Sequence, residues 1–190
     1  STTQPIVWHL VFMVLCCVIV LKGIAGGIEK ASKFMMPALF ILLVIIAIRS
    51  VTLDGAMEGI KFFLKPDFSK VTIGTVMAAL GQAFFSLSLG MGAIITYGSY
   101  LGKTENLENN AIIIPAIDTA VALLAGFAVL PAVFAFGFEP GAGPSLMFIT
   151  LPSVFDSMPF GQFFGILFFI LVLFAALTSA ISLLEVVVAF

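Results

Sequence analysis

Gly81-Gln82-Ala83-Phe84-Phe85-Ser86-Leu87-Ser88-Leu89-Gly90-Met91-Gly92 sits in the middle of an apolar run extending from about residue 73 to residue 100. The run is long enough to cross a bilayer, which needs ~20 mostly apolar residues. Three glycines and two serines fall within these twelve residues, and each glycine costs a helix ~1 kcal/mol relative to alanine. Two readings follow. Small residues let helices approach closely inside a membrane. Alternatively, the span is broken into two half-helices. Unpaired backbone at membrane depth is tolerated only where protein buries it or where it lines a cavity. Such a break offers carbonyls to a cation and amides to a carboxylate.

The rest of the chain supports a membrane setting. It is 62% hydrophobic and 9% charged, with mean hydropathy +1.26. A soluble domain carries about 25% charged residues, so this chain has too little polar surface to coat a water-facing globule. Spans are expected at about 5–21, 34–48, 73–100, 110–136 and 160–190. Lys22, Glu29, Lys30 and Lys33 mark a short polar loop. Residues 52–72 form a second loop, with a short surface helix broken at Pro66. Residues 137–159 hold Gly137, Pro140, Gly143, Pro144, Pro152 and Pro159 beside the apolar Leu146-Met147-Phe148-Ile149, which predicts a lid-like or re-entrant segment with short helices. Lysine and arginine are divided equally between the two sides, so they do not orient the chain. No cleavable leader is expected, and the abrupt ends suggest a piece of a longer protein.

Three positions carry chemistry. Asp118 lies inside the fourth span, where a carboxylate costs at least ~2.5 kcal/mol and is usually functional; a buried packing acid is the competing reading. Pro115, just before it, can kink the helix. Ala175, Thr178, Ser179 and Ser182 share one face of the last span. Their oxygens suit Na⁺, although serine and threonine also bond back to the preceding turn. Glu185 is a second intramembrane acid, on a different face. Enzyme chemistry finds no support. His9 is solitary, Ser88 has no histidine partner, Gly90-Met91-Gly92 is too short for a phosphate loop, and no metal-ligand spacing occurs. Cys16 and Cys17 are adjacent, poorly placed to pair, and are read as small buried hydrophobes. The formal charge of −2 and the absence of a basic patch argue against nucleic acid.

At this level of detail the sequence matches a known family. Gly81 to Tyr100, GQAFFSLSLGMGAIITYGSY, resembles the sixth helix of the neurotransmitter:sodium symporters, especially bacterial, leucine-transporter-like members. Gly27-Ile28-Glu29-Lys30 with Met36-Pro37 resembles the turn between their fourth and fifth helices. Pro66-Asp67-Phe68 is similar to the third outer loop, Phe148-Ile149-Thr150-Leu151-Pro152 to the fourth, and Ala175-Ala176-Leu177-Thr178-Ser179 to the eighth helix. The resemblance covers nearly the whole chain.

It implies an all-α, inverted-repeat sodium symporter fold, of which residues 1–190 are the central segment, helices four to eight, with a discontinuous third span. It also implies that the 22–33 and 101–109 loops are cytoplasmic, that the 52–72 and 137–159 loops are outer, and that the protein sits in a bacterial plasma membrane as a multi-pass protein. Phe85 is implied as a lid over substrate, with Ser86, Ser88, Met91, Ser179 and Leu183 as further substrate contacts. Ser86 and Asp118 are implied for a first Na⁺, Ala175, Thr178 and Ser179 for a second, and Tyr100 for the cytoplasmic gate, with Gln82 and Glu185 near the ion sites. Met91 stands where leucine-transporter-like members have Phe, which implies a roomier pocket. Asp118 stands at or next to the position where they have an Asn ligand, which implies a fixed charge in place of chloride and hence no chloride requirement. The implied function is sodium-coupled symport of small hydrophobic or aromatic amino acids, completed by the remaining helices of the same transporter. The alternative is a receptor-like or degenerate relative that does not transport.

Overall fold

The computed structural model describes residues 3–140 and 143–189; Gly141, in the expected outer loop, and Phe190, the expected end of the last span, lie outside them. The described chain is helical, with no strand among the described residues. Helix α1 (Thr3–Leu21) is followed by a π-helical turn (Ile24–Ile28) that runs into α2 (Glu29–Val51). Next come α3 (Ala56–Leu64), a 3₁₀ turn (Phe68–Lys70), α4 (Ile73–Ser86) and α5 (Ala93–Ser99). Helix α6 (Leu107–Ala135), a π turn (Leu146–Thr150), α7 (Leu151–Ser157) and α8 (Gly161–Val188) complete the chain. Among the described residues, four helical stretches are long and apolar enough to cross a membrane: α1, the π turn with α2, α6 and α8. The expected third span is present as the shorter pair α4 and α5.

The main difference from the sequence reading lies at residues 22–33. A polar loop was expected there, yet helix runs from Ile24 onward. Glu29 and Lys33 stand four residues apart, and the Lys33 ammonium meets the Glu29 carboxylate at 2.6 Å. That spacing suits an exposed helix face as well as it suits a loop. The second span is correspondingly longer than residues 34–48. The short helix expected in 52–72 is α3, and those expected in 137–159 are the π turn and α7.

Two apolar clusters hold the helices together. At one end, Leu43, Ile46 and Ala47 of α2 pack with Ala128, Ala132 and Val133 of α6, with Leu151, Val154 and Phe155 of α7, and with Phe168 of α8. At the other end, Cys16 and Val20 of α1 pack with Ile28, Met35, Leu177 and Ile181. Helix α8 runs through both clusters. The 137–159 segment is therefore anchored through α7, while Phe148 and Ile149 remain exposed.

Helix α6 tolerates Pro115 and Pro131 without interruption. Beside Pro131, where the ladder of intrahelical bonds is broken, the Ala132 amide donates to the buried Ser50 hydroxyl at 2.9 Å, stitching α6 to α2. Helix α3 packs along α6, with Gly55 against Ala135, Gly59 against Leu130 and Pro131, and Phe63 against Gly126 and Phe127. A Cβ on Gly59 would come within 2.7 Å of the Leu130 carbonyl oxygen and the Pro131 Cα. These are backbone atoms that cannot yield cheaply. Gly59→Leu is expected to separate α3 from α6, costing about 1–3 kcal/mol as overpacking does, and a thermal unfolding comparison of the full-length protein checks it.

Candidate functional site

The helix breaks where the glycines stand. Helix α4 ends at Ser86 and α5 starts at Ala93. Between them Ser88, Gly90 and Gly92 have φ of 54°, 79° and 81°. Glycine adopts this left-handed region freely. Ser88 does so at a cost of roughly 1–2 kcal/mol, one of two non-glycine residues with positive φ among those described. The Leu89 amide still reaches the Phe84 carbonyl at 2.9 Å, and the ladder resumes when the Thr96 amide reaches Gly92. The amides of Gly90, Met91 and Gly92 have no backbone partner among the described residues. The reading of the span as two half-helices is thus the one the backbone follows.

Ser86, the last residue of α4, meets Asp118 of α6. Its hydroxyl donates to both carboxylate oxygens, at 2.7 Å and 2.8 Å. Among the described residues no element packs closely along α4, which has no buried residue, so this contact is the main tie between the broken span and α6. Thr119 bonds back to the Pro115 carbonyl at 2.8 Å, bracing the turn that carries Asp118.

Two adjoining clefts open at the break. The larger, about 440 Å³, is lined by Gln82, Phe85, Ser86, Ser88 and Met91 from the broken span, by Thr178, Ser179, Ser182 and Leu183 from α8, and by Met36 and Ala93. The smaller, about 210 Å³, holds Asp118 with Ser86, Ser88, Tyr97 and Ser182. Every substrate-contact residue expected from the sequence therefore lines the larger cleft, and Asp118 lies in the adjoining one. On α8 the Thr178 hydroxyl donates to the Ala175 carbonyl at 3.0 Å and the Phe174 carbonyl at 3.1 Å, while Ser182 donates to the Thr178 carbonyl at 3.0 Å. This is the back-bonding pattern, and it leaves the lone pairs of the Thr178 and Ser182 hydroxyl oxygens available to a ligand, while the carbonyls they meet also carry the helix ladder.

Glu185 is placed with the expected gate residue. It is buried, and the Tyr100 hydroxyl donates to it at 2.6 Å. One turn earlier the Tyr97 hydroxyl donates to Ser182 at 3.3 Å, so α5 is fastened to α8 through two tyrosines. Met36 and Tyr97 escaped the sequence reading. Nothing in their local sequence separates them from ordinary packing residues.

The sequence pattern described as the sodium:neurotransmitter symporter family matches residues 2–190. The chain belongs to that family. It is 50% identical over 189 residues to the sodium-dependent transporter YhdH of Bacillus subtilis (strain 168), covering 100% of this chain and 42% of that one. It is 32% identical over 197 residues to the sodium- and chloride-dependent glycine transporter 2 of Xenopus laevis, covering 95% of this chain and 25% of the other. The crystal structure of MhsT in complex with L-phenylalanine superposes with a TM-score of 0.86 at 50% identity, covering 97% of this chain and 42% of that one. The chain thus spans about two-fifths of the length of its bacterial relatives. Its family, its four long apolar helices and its split span make it part of an integral, multi-pass membrane protein of a transporter family.

Proposed function

We propose that these 190 residues are helices four to eight of a secondary transporter that couples sodium entry to uptake of small hydrophobic or aromatic amino acids. The observation that carries the reading is the Ser86–Asp118 contact, at a helix break and beside a cleft that also holds Thr178 and Ser179. A carboxylate, hydroxyls and freed carbonyls are hard oxygen donors suited to Na⁺. We assign Ser86 and Asp118 to a first sodium ion, and Ala175, Thr178 and Ser179 to a second. The substrate occupies the larger cleft, with Phe85 over it and Ser88, Met91 and Leu183 around it. Gln82 lies beside the first ion. Tyr100, tied to Glu185, closes the cytoplasmic side.

Sodium coupling follows from electrostatics. A zwitterion entering low dielectric loses its hydration at a cost of several kcal/mol. A cation bound beside its carboxylate offsets that loss, and each then raises the other's affinity by the same factor. The L-phenylalanine held by MhsT supports an apolar or aromatic amino acid as substrate. Reconstituted full-length protein should take up labelled L-phenylalanine under a sodium gradient and not under a potassium gradient. Sodium-independent flux would contradict the coupling, and binding without flux would favour the non-transporting alternative.

Met91 tunes pocket size. It is unbranched and flexible, so it repacks around ligands of different shape. Met91→Phe should weaken tryptophan binding about tenfold or more and leucine binding much less, within the ~1–3 kcal/mol that a methylene-scale change in a pocket commands. Competition binding with the two amino acids checks it; equal losses would remove Met91 from the pocket wall.

A further inference from the structure

Helix α2 carries two successive methionines with opposite surroundings. Met35 is 5% exposed and packs with Leu177 and Ile181 of α8. Met36 is 56% exposed and borders the larger cleft beside Thr178, Ser179 and Ser182. Successive residues on a helix are turned about 100° apart, so one methionine serves the core while the next faces the cleft.

The level of Met36 follows from contacts between α2 and α8. The Phe34 ring meets Phe174 edge-on, with centroids 6.2 Å apart, and Met35 packs against Leu177 and Ile181. Further along α2, the Arg49 guanidinium lies over the Phe164 ring, 5.7 Å from its centroid. The two helices therefore run antiparallel, and Phe34 and Met35 bracket residues 174–181 of α8. That stretch holds Ala175, Thr178 and Ser179, the residues assigned above to the second sodium ion. Met36 is the residue that α2 presents to the cleft at this level.

Its chemistry suits a wall and not a ligand. Hard cations take oxygen donors, whereas a thioether is a soft donor. Nor does α2 bring a charge here. Lys33, three residues before Met36, is drawn back to Glu29 at 2.6 Å, and Lys30 is exposed. The only charged residue of α8 is Glu185, engaged by Tyr100 of α5 at 2.6 Å. Asp118 lies in the adjoining cleft. The second ion is thus bordered on its α2 side by an uncharged, flexible and apolar side chain. Position 36 is accordingly the place on α2 from which a charge would act most directly on that ion.

We propose that Met36 is the α2-side wall of the second sodium site, a positioning residue that keeps this side of the ion dry and uncharged. The inference rests on the proposed assignment of that site to α8. The test replaces Met36 with Gln, Glu and Lys, side chains of similar length and different charge, in the full-length protein. Sodium titrations of labelled L-phenylalanine binding are the readout, with thermal unfolding as the folding control. Relative to Met36→Gln, Met36→Glu should lower the sodium midpoint about tenfold and Met36→Lys should raise it about tenfold, the order expected of unit charges ~10 Å apart at an effective dielectric near 20. A packing role alone would move both in the same direction and would overturn the proposal. Should Met36→Lys unfold the protein, the comparison of Met36→Glu with Met36→Gln carries the test. On the Thr178→Val, Ser179→Ala background that difference should shrink to within about twofold, because the site it acts on is lost. A difference that persisted there would place the effect on the first ion and overturn the assignment. Equal midpoints for all three variants would overturn it too, while leaving sodium coupling standing. Native binding that ignored sodium would instead defeat the proposed function, and this inference with it.

Discussion

Asp118→Asn is expected to raise the sodium concentration needed for substrate binding about 100-fold and to make the remaining binding respond to chloride. The substitution keeps size and one acceptor oxygen, so Ser86 retains a partner, but it removes a full negative charge beside the proposed first ion. Two unit charges ~4 Å apart interact by roughly 4 kcal/mol at an effective dielectric near 20, an upper limit of about a thousandfold in affinity. Losing part of that to solvent and to the amide dipole leaves the hundredfold expected. A mobile anion can restore the charge. The animal relative is described as sodium- and chloride-dependent; on the proposed function, a carboxylate at position 118 would supply that negative charge without chloride. The native protein should bind substrate equally in chloride and gluconate, and the variant should bind better in chloride. Sodium titrations of L-phenylalanine binding in the two salts check both points. A variant that matched the native titration in chloride-free buffer would remove Asp118 from the ion site and leave it a packing acid.

How much of this site was legible depended on where the information lay. The break at Ser86–Gly92 was readable because Gly90 and Gly92 permit positive φ, and because polar residues at mid-span demand partners. Asp118 stood out for a related reason, as a carboxylate in an apolar run. Thr178, Ser179 and Ser182 were readable through helical periodicity alone. The family and its individual roles came from the resemblance of Gly81–Tyr100, which periodicity could not have supplied. Met36 and Tyr97 were invisible because only tertiary packing brings α2 and α5 against α8, and methionine and tyrosine in apolar helices are ordinary core residues. The 22–33 segment was misread for a local reason: Glu29, Lys30 and Lys33 look like loop charges, yet they also fit the exposed first turns of a helix leaving the membrane. Glu185 was flagged as an intramembrane acid near the ion sites. It stands one turn after Ser182, on the face of α8 that α5 covers, and not on the separate face the sequence reading gave it; that Tyr100 is its partner only tertiary packing reveals.

Replacing Thr178 with Val and Ser179 with Ala together should raise the sodium requirement for binding about 10- to 100-fold and reduce the cooperativity of the sodium titration. Valine keeps the shape of threonine, so α8 should continue to pack through Leu177 and Ile181. Thr178 donates its one proton to the carbonyls of Phe174 and Ala175, so its oxygen can meet a cation only through the remaining lone pairs. The Ala175 carbonyl accepts from Thr178 and, within the helix, from the amide of Ser179, so it can meet a cation only by sharing those lone pairs. Ser179 lies on the exposed rim of the larger cleft, next to both. An ion held by these oxygens is bound by dipoles without a fixed charge and exchanges water oxygens for protein ones, so each lost hydroxyl removes about 0.5–1.5 kcal/mol, the net worth of an ordinary hydrogen bond. This site should therefore be weaker than the one holding Asp118, and more sensitive to the loss of single oxygens. Two ions that are both required for substrate binding give a titration steeper than a single-site curve, whereas loss of one should flatten it. Sodium-dependent binding of L-phenylalanine to full-length protein, with thermal unfolding as the folding control, reads both effects. A well-folded double variant with the native midpoint and steepness would show that these hydroxyls serve helix packing alone.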